Sequence, residues 1–442
     1  MKGQSLPLQT KLLYASDSLG SEALLESRGL WLLYYYAPPA HARTAPLLTI
    51  GLAGVVFAAL PLFSALGNPL IGYWSDRTSS RMGRRLPFVL GATPLWAICG
   101  FLAFTPPRHA GETLIAIYLG LSLVLYSLTS TASGGPYQAL MPEIATGNTE
   151  RLSVNSFVVY FGAAGGAVGL VGSGLIIDRF GFRTMALSIA ILALICRFVG
   201  MAGIWRRASR TQKPAQISLR DALRAAASNR FFRLYLPGFV LFQVGLTMTR
   251  AALPYYVKAI LGVSKTGTWV SILTAVLIVT FVLCIPVQAR LARRSSKRQA
   301  FRRAMLGAVV VFPLLALVGF VPEVPAAVQI ITVMVLAGLP VAGVYLFPAT
   351  LTADIIDYDS LRTGFRREAT YYQLHGFVEQ VSTSLAPAFL AGLLLLGDTA
   401  SDTLGIRLVG PAAGLLILAG YLVFRRYELP DEVLVPARSG SS

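Results

Sequence analysis

The sequence predicts an all-α membrane protein of about twelve transmembrane helices, arranged as two pseudo-symmetric six-helix halves, and three observations predict it. The first is composition: of 442 residues, 55% are hydrophobic and 13% charged, with a mean hydropathy of +0.64. A soluble domain carries roughly a quarter charged residues. The second is length: apolar runs of about twenty residues recur along the whole chain, enough at about 1.5 Å per residue to cross a hydrocarbon core of roughly 30 Å. The third is the placement of the basic residues, which fall between apolar runs in alternate loops. The formal charge of +18 is therefore a topology signal and not a nucleic-acid footprint.

The spans are expected at 11–36, 46–73, 86–104, 113–140, 152–177, 184–204, 234–258, 268–290, 301–321, 326–350, 368–397 and 407–425. Residues 1–13 lack a basic region followed by an apolar stretch and a small-residue cleavage site, so the first span is expected to be its own insertion signal. Loops 74–85, 205–233 and 289–303 are dense in Arg and Lys, whereas 321–326 and 397–406 are not. This asymmetry places both termini in the cytoplasm.

The basic stretch 205–233 divides the chain into an N-terminal half, 1–204, and a C-terminal half, 234–425, with 426–442 as a cytoplasmic tail. Leu33-Tyr34-Tyr35-Tyr36 matches Leu253-Pro254-Tyr255-Tyr256, and Arg84-Arg85 before Gly91-Ala92 matches Arg302-Arg303 before Gly307-Ala308. Such echoes half a chain apart fit an internal repeat with a solute cavity between its copies. Span five carries Gly162, Gly165, Gly166, Gly169, Gly172 and Gly174, small residues that allow close helix approach. They form no phosphate loop, since neither a strand before them nor Lys-Ser after them is present. Cys99, Cys196 and Cys284 lie in apolar runs without metal-ligand spacing, so neither a disulfide framework nor a metal site is expected. No cofactor and no nucleophile-base pairing is indicated, and an enzyme is not expected.

Two stretches carry mechanism. After span two comes Gly67-Asn68-Pro69-Leu70-Ile71-Gly72-Tyr73-Trp74-Ser75-Asp76-Arg77-Thr78, then Arg81, Gly83, Arg84 and Arg85. An acid at a helix C-terminal end opposes the helix dipole, so Asp76 needs partners such as Arg77, Arg84 or Arg85. Ion pairs of this kind latch one conformation and break in another. A solvated turn that only sets topology is the simpler alternative, and it accounts for the arginines but not the acid. The stretch resembles the loop signature of the major facilitator superfamily. The second stretch runs Ala353-Asp354-Ile355-Ile356-Asp357-Tyr358-Asp359-Ser360-Leu361-Arg362-Thr363-Gly364-Phe365-Arg366-Arg367-Glu368. With Pro136-Tyr137, Leu140-Met141-Pro142-Glu143 and Glu150-Arg151, it resembles the glycoside-pentoside-hexuronide:cation symporters, the melibiose-permease-like group. The resemblance covers essentially the whole chain. It implies the major facilitator fold, alternating access and transport of a sugar, with lysolipid carriers as related proteins. A cytoplasmic gate of Asp76, Arg77, Arg84, Arg85, Glu143, Arg151, Asp354, Asp357, Arg366 and Arg367 follows from it.

Charged groups at the bilayer centre cost roughly 2.5–3.5 kcal/mol each and are kept where they meet a cavity or a partner. Span one holds Glu22, Glu26 and Arg28. The two glutamates share a helix face, while Arg28 points away from Glu26. Two acids on one face require a proton or a cation between them, and Arg250 of span seven is the candidate partner. A structural tie between the halves is the alternative to substrate or ion binding. By the resemblance, Glu22 falls where sugar-binding members carry an essential aspartate, and Tyr137 lies beside the span-four signature. Asn68 and Ser64 fall at span-two aspartates, Gly134 at a span-four aspartate, Ser156 at a span-five arginine and Gln380 at a span-eleven lysine. Asn68 and Ser64 offer oxygens without charge, a poor sodium cage. His375 and Glu379 share a face of span eleven with Tyr372, next to Gln380, and an imidazole-carboxylate pair exchanges protons near neutral pH. Arg197 is expected to snorkel toward the cytoplasm or to pack against polar neighbours.

The sequence thus predicts a secondary transporter of a small organic solute, a glycoside or related sugar, in a bacterial inner membrane. Coupling to protons is expected ahead of sodium, in a chain that functions as a monomer without nucleic-acid partners. A lysolipid or other amphipathic-solute carrier of the same fold is one alternative, and a non-transporting membrane sensor or scaffold is another.

Overall fold

The structure is a computed structural model that describes residues 6–39, 45–61, 85–138, 140–145, 148–208, 228–363 and 368–429. Their regular structure is all helical, with no strand among the described residues. In chain order the helices are α1 (Leu8–Tyr36), α2 (Ile50–Pro61), α3 (Leu86–Leu102), α4 (Glu112–Gln138), the single turn α5 (Met141–Ile144), α6 (Asn148–Ala167) and α7 (Ser173–Ala208). Then follow α8 (Arg230–Ala259), α9 (Thr266–Arg294), α10 (Lys297–Val311), α11 (Ala326–Thr363), α12 (Glu368–Leu394) and α13 (Leu404–Phe424).

Spans five and six form one nearly continuous run, in which a π-helical turn, Val168–Gly172, joins α6 to α7. The reversal between them falls inside α7 at Gly181, whose φ of 83° and ψ of 171° are open to glycine alone among ordinary residues. Span two is represented by α2; its remainder, with Ser64, Asn68, Asp76, Arg77 and Arg84, lies outside the described residues. Span ten is longer than its apolar stretch: α11 continues past 350 to Thr363, because Leu351, Thr352, Ile355, Ile356 and Asp359 recur at helical spacing and stay buried.

Elsewhere large apolar side chains stand exposed along the helices, Ile98 at 51%, Leu283 at 69% and Leu415 at 66% among them. In water such surfaces would associate; against lipid they are the solvent-matched face.

The chain separates into two compact units. One contains 1–216 together with 251–275 and 387–403; the other contains 217–250, 276–386 and 404–442. Within the first, small residues bring helices to backbone contact. A Cβ on Gly165 would collide with Leu19, one on Gly169 with the Ala23 carbonyl, and one on Gly54 with Ala391. Gly166 borders open space instead, so the glycine pattern expected of span five divides into packing and non-packing positions. Within the second unit Gly338 is pressed against Thr280 and Gly343 against Ala304.

Candidate functional site

Span one is the organising element. Its face toward α6 carries Ser18, Leu19, Glu22, Ala23 and Glu26: the Cβ position of Gly162 lies 3.5 Å from Glu22 Cγ, and that of Gly169 lies 3.0 Å from Glu26 Cβ. Gly162 of α6 and Gly169 of the π-helical turn after it are therefore what lets two acids sit at a tight helix contact. Arg28 turns off that face, as the helical period requires, and stacks its guanidinium 4.0 Å above the ring of Tyr126 on α4. Its Nε is buried without a hydrogen-bond partner.

Below it runs a second polar chain. Trp96 of α3 packs 6.4 Å from Tyr126, and Arg197 of α7 lies 4.7 Å from the Trp96 ring centroid and 5.4 Å from that of Tyr137. Arg197 does not snorkel. It packs against polar neighbours instead, 3% exposed and in an ion pair with Asp17 of α1. Tyr137 donates to the Tyr14 carbonyl at 2.7 Å, and the two rings stack at 4.9 Å with 6° between their planes. Pro136, which denies the preceding turn of α4 one hydrogen bond, sits beside this cluster. Asp17 and Trp96 escaped the sequence reading, although Asp17 bore the same signal as Glu22, an acid within an apolar run.

In the second unit, His375 of α12 has its Nδ1 3.2 Å from the Tyr235 hydroxyl and 3.5 Å from Thr352 Oγ1, with the Phe239 ring centroid at 4.2 Å. Glu379 is exposed and Gln380 half-buried one turn further on. Arg250 is buried, with Nη2 3.4 Å from Thr247 Oγ1. The side chain of Tyr372 lies outside the described residues, as do Arg366 and Arg367.

Of the expected cytoplasmic gate, Asp354 is held by Lys297 at 2.6 Å, and Asp357 is exposed. Lys297 starts α10 directly after Ser296, whose hydroxyl caps the helix by accepting from Gln299 N. Arg151 donates through Nε to the Ala145 carbonyl at 3.0 Å, and Lys11 pairs with Glu150 at 3.1 Å. Arg85 stands just before α3, and the side chain of Glu143 lies outside the described residues.

A further cluster lies at the other end of the helices. The Asp178 carboxylate accepts from Gly267 N at 2.9 Å and Thr268 N at 2.6 Å, capping the first turn of α9. Ser271 donates to the Val171 carbonyl at 2.6 Å and Tyr255 to the Ala37 carbonyl at 2.8 Å. Gly174 and Gly267 face each other so closely that neither has room for a side chain.

Long apolar helices, paired charges near their ends and charged groups sealed within them fit a polytopic membrane carrier. The chain belongs to the MFS/sugar transport protein family, whose profile matches residues 14–424. It is similar to the uncharacterized symporter sll1374 of Synechocystis, 26% identical over 89% of this chain and 86% of that one. It is also similar to the isoprimeverose transporter of Lactiplantibacillus pentosus, 22% identical over 79% of this chain and 73% of that one. Among solved structures, a bacterial homologue of the human lysosomal transporter Spinster superposes with a TM-score of 0.68 at 15% identity, covering 98% of this chain and 100% of that one. The fold is that of the major facilitators. The protein is a multi-pass membrane symporter-type secondary transporter of a small solute, and not an enzyme.

Proposed function

We propose that this carrier moves a glycoside or related sugar by alternating access, drawing on a proton gradient, as a monomer with both termini in the cytoplasm. The family description and the cargo named for the Lactiplantibacillus relative support the sugar. The proton reading rests on one observation above the others: Glu22 and Glu26 lie along one face of α1, a turn apart, at a glycine-lined helix contact. Acids kept within an apolar span are the groups through which a carrier can take up a coupling cation, the proton included. Asn68 and Ser64, neutral where the sodium-coupled relatives carry aspartates, favour the same conclusion.

Uptake of labelled glycosides into proteoliposomes under imposed pH and sodium gradients tests this. Accumulation driven by an inward proton gradient, lost in Glu22→Gln, is the expected result. Accumulation driven by sodium and indifferent to pH would overturn the coupling.

A further inference from the structure

Among the described residues, Arg28 is the charge within span one for which no ion-pair partner is present. Its guanidinium carbon lies 4.0 Å over the ring of Tyr126, itself buried, and its Nε is sealed from water without an acceptor. Among the described residues no acid forms an ion pair with it: Asp17 is engaged by Arg197. The acid two residues before it does not answer it either, because Glu26 points to the α6 contact at Gly169, on the opposite side of α1. An aromatic face compensates a cation only in part, and an arginine held in a low dielectric binds any acceptor that reaches it strongly.

The site is also open and built. Arg28 is half-buried and not sealed, and beside it the backbone of Gly29 has no atom of the described residues within 4 Å of where a Cβ would stand. Trp96, 1% exposed and packed on Tyr126, presents a second buried donor, Nε1, without an acceptor. Tyr126 thus lies between two donors that lack acceptors. A flat guanidinium clamped on a ring offers paired N–H groups in one plane, the geometry that fits a carboxylate, phosphate or sulfonate.

We propose that the transported solute carries a negatively charged group and that Arg28, seated on Tyr126, binds it. This rests on the carrier function above and narrows its substrate class to small organic acids, acidic sugars included.

The experiment uses purified full-length protein in phosphatidylcholine nanodiscs. Thermal stabilisation is titrated with phenyl β-D-glucuronide against phenyl β-D-glucoside, and with glucose 6-phosphate and isethionate against glucose and ethanol. At least one acid is expected to stabilise the wild type while its neutral counterpart does not. Arg28→Gln is expected to weaken that acid about tenfold to a hundredfold, and Arg28→Lys by less, since the charge remains without the fork. The wild-type comparison stands even if Arg28→Gln fails to fold. Equal response to acid and neutral partners, no response to any acid, or an acid response unchanged in Arg28→Gln overturns the proposal. So does stabilisation by added phosphatidylglycerol alone, which makes the anion a lipid headgroup and not the cargo. Uptake of a neutral glycoside with no preference for its acid overturns this proposal and leaves the carrier reading intact.

Discussion

Asp17 and Arg197 form an ion pair inside the N-terminal unit, joining spans one and six across a cluster of Tyr14, Trp96 and Tyr137. Both side chains are nearly inaccessible to solvent, so neither charge is stable without the other. Asp17→Asn should therefore destabilise the protein by about 3–5 kcal/mol, and Arg197→Met by a similar amount. The double variant Asp17→Asn/Arg197→Met should recover much of the loss. Thermal unfolding in detergent of the four proteins measures the coupling; additive losses would show that the pair is not what holds the two helices.

The α1–α6 contact depends on missing side chains. Gly165→Ala and Gly169→Ala place a methyl against the backbone of Leu19 and Ala23, and each should cost about 1–3 kcal/mol through overpacking. Gly166→Ala, on the same helix but bordering open space, should be neutral or slightly stabilising. Melting temperatures of the three variants settle the comparison, and a loss in Gly166→Ala equal to the others would refute it.

Asp178 ties the end of span five to the first turn of α9 through two backbone N–H groups. A carrier that alternates its access must release such contacts in one state. Asp178→Ala removes a helix cap worth about 1 kcal/mol, enough to shift a two-state balance about fivefold. A cysteine at Ser271, whose hydroxyl bonds the Val171 carbonyl, should react faster with an impermeant maleimide in the Asp178→Ala background than in the wild type. An unchanged labelling rate would mean that the cap has no part in opening.

Sodium should not stabilise this protein. A ligand that binds the folded state raises its stability by RT ln(1 + [L]/Kd), and Ser64, Asn68 and Gly134 bring no negative charge to the positions where the family resemblance expects aspartates. Melting curves in sodium chloride and choline chloride at equal ionic strength should coincide; a higher midpoint in sodium would reveal a site elsewhere.

Much of this protein was legible in its sequence, because the bilayer is a demanding solvent. Spans must be long and apolar, their loops must sort by charge, and a buried acid announces itself against such a background. Those rules marked out the apolar spans, the family and, in span one, Glu22, Glu26 and Arg28 though not Asp17, and the helical period alone turned Arg28 away from Glu26. What they left undecided is which partner each buried group meets, a matter of tertiary contact. Arg197 could have reached for the cytoplasm; only the packing of α1, α3, α4 and α7 around it fixed it on Asp17. The glycines of span five looked alike as letters, yet Gly165 and Gly169 touch backbone while Gly166 touches nothing. The extension of α11 to Thr363 follows from burial of Ile355, Ile356 and Asp359, which hydropathy does not see. Sequence determines which groups must be satisfied in the membrane, because transfer energy belongs to the residue. Tertiary structure decides who satisfies them, because that depends on which helices lie within a few ångströms.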